Sequence, residues 1–161
     1  MTEANTQNGP SSMQHLHHVG ITVASLDAAL AFWEKFLDKP PRWKTVLDRP
    51  YLGRITGYPG VKIKAAFVDL PGGVVVELLD YQLEGRVPNT DVTANPGNVH
   101  LCLKVEDAEK AWKHAVSCGA RPLTDGPVDI DGGPNVGARA AYLRAHDGVT
   151  IEIIQSPKTA Q

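Results

Sequence analysis

Two histidines and two glutamates stand out as residues that could do chemistry together: His18, Glu77, His100 and Glu152. Imidazole nitrogens and carboxylate oxygens form a mixed donor set suited to a first-row divalent ion. Two carboxylates would neutralise its charge. Two positions would stay open for water or substrate, which makes such an ion a Lewis acid. The four residues also come as matched pairs. The histidines lie 82 positions apart and the glutamates 75 apart.

That spacing belongs to an internal repeat. Residues 65–79 read AAFVDLPGGVVVELL and residues 140–154 read AAYLRAHDGVTIEII, and they align without a gap. Upstream, His18-Val-Gly-Ile-Thr-Val23 falls on His100-Leu-Cys-Leu-Lys-Val105. The downstream stretches read as two strands joined by a tight turn, and the upstream ones as single alternating strands. Each upstream strand runs into a helix capped by Ser25 or Asp107. Leu26, Leu30, Trp33 and Leu37 make an apolar stripe on the first helix; Ala108, Ala111, Trp112 and Ala115 make one on the second. Trp33 and Trp112 are therefore read as core, and Gly119 as the second helix's stop. Trp43–Leu47 and 123–129 are the expected intermediate strands.

The expected fold is α+β. A first βαβββ module covers 14–90, a linker 91–97 and a second module 98–156, between tails at 1–13 and 157–161.

Strand parity sorts the faces. Val19, Ile21 and Val23 face the first helix, so His18, Gly20 and Thr22 face away. Glu77, between Val75 and Leu79, lies opposite Val76 and Leu78. His100 and Glu152 repeat this placement. A lone carboxylate in an apolar strand is costly unless it is paired, and a shared ion accounts for both glutamates at once. His17 matches Val99 in the repeat, and parity turns it toward the helix. His15, His114 and His146 have no repeat partners and read as surface or supporting residues.

Bulk properties narrow the rest. A chain of 161 residues, 42% hydrophobic, supports a real core, and its net charge of −2 gives no field for nucleic acid. No apolar run reaches membrane length, and the polar start MTEANTQNGPSSMQ carries no apolar signal core. A cytoplasmic protein is expected. Cys102 and Cys118 show neither CxxC spacing nor a disulfide framework. The stretch Asp131-Gly-Gly-Pro-Asn-Val-Gly137 opens no helix, so it is a loop and not a dinucleotide fingerprint. Arg54, Tyr58, Asn135 and Arg139 are candidate substrate contacts.

These motifs resemble the vicinal oxygen chelate superfamily, which includes glyoxalase I, methylmalonyl-CoA epimerase, extradiol dioxygenases and the fosfomycin and bleomycin resistance proteins. The resemblance rests on His-His-Val-Gly-Ile-Thr-Val at 17–23, Val-Glu-Leu-Leu at 76–79, Asn-Val-His-Leu at 98–101 and Tyr-Leu-Arg-Ala-His-Asp-Gly-Val-Thr-Ile-Glu at 142–152. It implies paired modules whose eight strands form one open, curved sheet around the metal, and it implies a homodimer. It places one divalent ion (nickel, cobalt, zinc, manganese or iron) on the same four residues. It gives Glu152 the role of base, with Glu77 as its mate. The chemistry implied is isomerase or lyase: proton transfer alpha to a carbonyl of a small oxygenated metabolite.

The resemblance to individual members is uneven. Glu77-Leu-Leu-Asp-Tyr-Gln82 departs from the Glu-Leu-Thr-x-Asn-Trp of many glyoxalase I enzymes, which counts against glutathione. Gly57-Tyr-Pro-Gly60 lacks the extra glutamate of methylmalonyl-CoA epimerases, which counts against acyl-CoA. No histidine lies between His114 and His146, where extradiol dioxygenases carry one. An iron dioxygenase and a non-catalytic binding or resistance protein are the alternative readings.

Overall fold

The computed structural model describes residues 14–157. The tail expected at 1–13, and all but the first residue of the tail expected at 157–161, lie outside the described residues. Strand β1 (Val19–Thr22) leads to helix α1 (Leu26–Leu37), then β2 (Trp43–Leu47), a short helix α2 (Tyr51–Thr56), β3 (Ile63–Asp69) and β4 (Val75–Tyr81). The second module repeats the order with β5 (His100–Val105), α3 (Ala108–Ser117), β6 (Arg121–Pro122), β7 (Val128–Asp129), β8 (Arg139–Arg144) and β9 (Thr150–Gln155).

Local chemistry fixes the helices. The Ser25 hydroxyl accepts from the Ala28 amide at 3.4 Å, and the Asp107 carboxylate accepts from the Lys110 amide at 3.0 Å. Helix α1 stops at Asp38, which turns left-handed at φ 53°. After α3, Gly119 takes φ 105°, a conformation that favours a residue without a Cβ.

The strands form two sheets of mixed direction. The first runs β1-β4-β3-β2, and the second runs β5-β9-β8-β6 with β7 also on β8. In each, the first strand pairs parallel with the last (β1 with β4, β5 with β9), and the other ladders are antiparallel. Of the single strand expected over 123–129, only Val128–Asp129 is regular, and the other short piece, β6, lies just upstream at Arg121–Pro122. Pro127 has no amide to donate, and the Thr124 hydroxyl donates to the Gly126 carbonyl at 2.8 Å, so the chain leaves the ladder between them.

One apolar core joins the modules. Leu26, Leu30 and Trp33 of α1, Val76 and Leu78 of β4, Ala115 of α3, and Leu143, Ile151 and Ile153 of the second sheet belong to the same buried cluster. Trp33 is core as expected; Trp112 is only partly buried, although its indole nitrogen is enclosed without a partner. Polar ties reinforce the joint. His114 donates from Nε2 to the Phe36 carbonyl at 2.9 Å, Lys35 reaches the Ser117 carbonyl at 2.6 Å, and the Ala24 amide donates to Asp147 at 2.7 Å.

The helix-facing sides of both sheets are thus spent on one another. β1 and β5 end their sheets without pairing to each other, so a single chain does not build the continuous eight-stranded sheet expected above. No described helix is long and apolar enough to cross a membrane.

Candidate metal centre

The face of each sheet turned away from the shared core carries a histidine and a glutamate. In the first module Glu77 sits on β4 opposite Gly20 and Phe67, and His18 enters just before β1. His18 Nε2 stands 3.0 Å from Glu77 Oε2. In the second module Glu152 sits on β9 opposite Cys102 and Tyr142, and His100 opens β5. His100 Nε2 stands 3.1 Å from Glu152 Oε2. Both glutamates are largely shielded, at 17% side-chain exposure, while the imidazoles are about twice as open.

This geometry fits a metal ion. Two donors each roughly 2.1 Å from one ion, at right angles, stand roughly 3.0 Å apart. Both pairs have that spacing. The same separation is a hydrogen bond when the imidazole nitrogen carries a proton, so the pair stays preformed in either state. Two donors are half of a set, however. Among the described residues, no three His, Cys, Asp or Glu side chains gather as one ion requires. The sequence-predicted ligands therefore come together in twos and not in a four.

His17 departs from its expected place. The regular strand begins only at Val19, so parity does not carry back to it, and His17 is exposed beside His18 rather than turned to the helix. Its Nδ1 lies 2.7 Å from His18 Nδ1, with the rings edge to face. His17 thereby engages the second nitrogen of the His18 ring, the kind of support a ligand histidine requires.

The candidate substrate contacts separate. Tyr58 is exposed and meets Tyr81 edge to face at 6.1 Å, on the open face of the first sheet. Arg54 lines a cavity of about 330 Å³ with Asp48, Arg49 and Gly60. Asn135 sits in the exposed 131–137 loop. Arg139 does not belong to the open face. It alternates with Tyr142 along β8, and it is tied to Asp129 at 3.2 Å and to Glu109 of α3 at 3.8 Å, on the helix side.

Cys102 occupies the open face beside Glu152. Burial, then the hydrogen bond and negative charge of Glu152, push its thiol up to about 11. Burial and the same carboxylate also raise the Tyr142 phenol. Cys102 is therefore a neutral thiol near pH 7. Its alkylation by iodoacetamide at pH 7.5 is expected to run slower than that of a free model thiol. Glu152→Gln is expected to speed it, because the charge opposing the thiolate is gone. An unchanged rate would mean that Glu152 does not act on Cys102.

A two-module βαβββ repeat that presents a His–Glu pair on each open face defines the architecture. Residues 17–142 match the family model of the Glyoxalase/Bleomycin resistance protein/Dioxygenase superfamily, and the chain belongs to that superfamily. A 2-epi-5-epi-valiolone epimerase from an Actinomyces species is 26% identical over 149 residues, spanning 90% of this chain and 81% of the relative. Among solved structures, a glyoxalase family protein from Bacillus cereus superposes with a TM-score of 0.77 at 20% identity, covering 93% of this chain and 99% of the other. A glyoxalase I mutant from Zea mays gives 0.59 at 19% identity, over 88% of this chain and 45% of that one. At these identities the structural likenesses show the fold.

Proposed function

We propose that the protein is a divalent-metal-dependent isomerase, acting as an epimerase on a small oxygenated metabolite, with its metal centre built from the half-sites of two copies. One observation carries the reading: two His–Glu pairs at equivalent repeat positions, spaced at 3.0 and 3.1 Å as neighbouring ligands of one ion. His18 and Glu77 of one protomer would face His100 and Glu152 of its partner. The free edges of β1 and β5 would meet across the dimer and complete the eight-stranded sheet.

The bound ion would supply Lewis acidity to a substrate carbonyl and its neighbouring oxygen. Glu152 takes the proton from the carbon alpha to that carbonyl, leaving an enolate. Glu77, which enters the cycle as the neutral acid, returns its proton to that carbon. Return to the opposite face inverts the centre and gives an epimer; solvent then resets the two carboxylates. The superfamily and an epimerase among the relatives support this reaction type.

The test is a set of hydroxyketones in D₂O. NMR should show exchange of the alpha proton, abolished by a chelator and restored by Ni²⁺, Co²⁺, Zn²⁺ or Mn²⁺. Oxygen consumption with a catechol and Fe²⁺, without exchange, would establish a dioxygenase instead. Stoichiometric binding of these compounds without either reaction would make the protein a binding module.

A further inference from the structure

The two half-sites are equivalent in their metal donors and unlike in everything around them. Register lines up one cross-strand row through each glutamate. In the first module the row is Trp43, Phe67, Glu77, Gly20. In the second it is Leu123, Tyr142, Glu152, Cys102, with Leu123 joined by its amide to the Tyr142 carbonyl. The first row is an aromatic shelf. Trp43 and Phe67 have ring centroids 5.1 Å apart and are tilted by 34°, and Phe67 leads on to the His18 ring at 6.0 Å. Trp43 is 39% exposed, an unusual outlay for so large an apolar ring. Arg42, tied to Asp69, stands by the Phe67 ring at 5.5 Å. Helix α2 covers only the other end of this face, where Leu52 packs with Ile63 and Ala65. Beside the metal donors Trp43 stays exposed, with the Arg42 guanidinium over the half-buried Phe67 ring. The second row offers a phenol and a thiol at the two register positions flanking its glutamate, with a leucine where the tryptophan was.

We infer that the assembled site is two-sided: the Trp43–Phe67 shelf seats the flat face of a ring, and Tyr142 donates a hydrogen bond to the oxygens that the ring carries toward the metal. This rests on the metal-enzyme reading above and names its substrate class, a compact ring bearing adjacent oxygens. An aromatic surface rewards a ring face, whether of C–H bonds or of π electrons, over an open chain of equal polarity. The Phe67 counterpart of Tyr142 has no hydroxyl, so only one wall can hydrogen-bond in this way. Trp43 is a specificity residue, and Tyr142 contacts substrate directly.

The experiment measures binding to Zn²⁺-loaded protein labelled with ¹⁵N at its indole nitrogens. The probes are 2-hydroxycyclohexanone, catechol and open-chain acetoin, which keeps the hydroxyketone and lacks the ring. The Trp43 indole signal should move with both rings, while that of buried Trp33 stays fixed. Trp43→Leu should weaken ring binding by about three- to tenfold and leave acetoin unchanged, with zinc content intact. Trp43→Tyr should recover most of the loss. Tyr142→Phe should weaken all three probes by a similar factor. The tighter of the two rings assigns a saturated or an aromatic substrate.

Equal weakening of acetoin and ring probes by Trp43→Leu would show a merely structural tryptophan and overturn the shelf. So would wild-type binding of acetoin with no preference for a ring. Failure of all three probes at a fully zinc-loaded site would overturn the enzyme reading itself, and the shelf with it.

Discussion

Two variants that each fail to hold metal are expected to hold it when mixed. The first carries His18→Ala with Glu77→Ala; the second carries His100→Ala with Glu152→Ala. Within one chain the two pairs lie on separate sheets, and their helix-facing sides are buried in a common core. A centre shared between protomers therefore takes one pair from each. A homodimer of either variant has two half-destroyed sites. A mixed dimer concentrates all four substitutions in one site and leaves the other whole. Random re-association makes about half of the dimers mixed, so about a quarter of the wild-type metal content should return, and activity with it. Native mass spectrometry would establish that mixed dimers had formed. If they form and bind no metal, the ligands do not cross between copies. A particle that stays monomeric in light scattering at micromolar concentration, yet binds one ion, would place all four ligands in a rearranged single chain.

Much of this was legible in the sequence, because repeats and strand alternation are local signals. The offset between Glu77 and Glu152 marked both β4 and β9, and parity put each glutamate opposite the core, as the register bears out. Ser25 and Asp107 announced their helices through side-chain chemistry that needs no tertiary context. What failed to show were matters of assembly and of irregular backbone. Whether His18 and His100 meet depends on how two amphipathic modules share their apolar faces, and alternation is blind to that. The break between β6 and β7 follows from Pro127 and the Thr124 turn, which a pattern of apolar residues does not register. Arg139 looked free for substrate until Asp129 and Glu109 were placed beside it. The place of His17 was lost because alternation was extended two residues upstream of the start of the strand. The Trp43–Phe67 shelf had a signal that went unused. The repeat alignment itself sets Phe67 against Tyr142, and a difference at a matched position beside a metal donor is where two equivalent half-sites can diverge.

The second large effect separates the roles of the ligands. Glu152→Gln keeps an oxygen donor at the same place but removes a carboxylate able to accept a proton. It should retain most of the metal while the rate of alpha-proton exchange falls by about 10²–10⁴-fold, the usual consequence of losing a general base. His100→Ala removes a donor outright, so metal content should fall and activity with it. Raising the metal concentration should partly restore His100→Ala and leave Glu152→Gln inactive. The contrast comes from the pair itself. His100 Nε2 and Glu152 Oε2 stand 3.1 Å apart, so each can ligate the ion, while the carboxylate is also the register partner of both Cys102 and Tyr142, on the wall that offers polar groups to substrate. Exchange at the wild-type rate by metal-loaded Glu152→Gln would reduce Glu152 to a ligand. The same measurement on Glu77→Gln would then decide whether the base belongs to the aromatic half of the site.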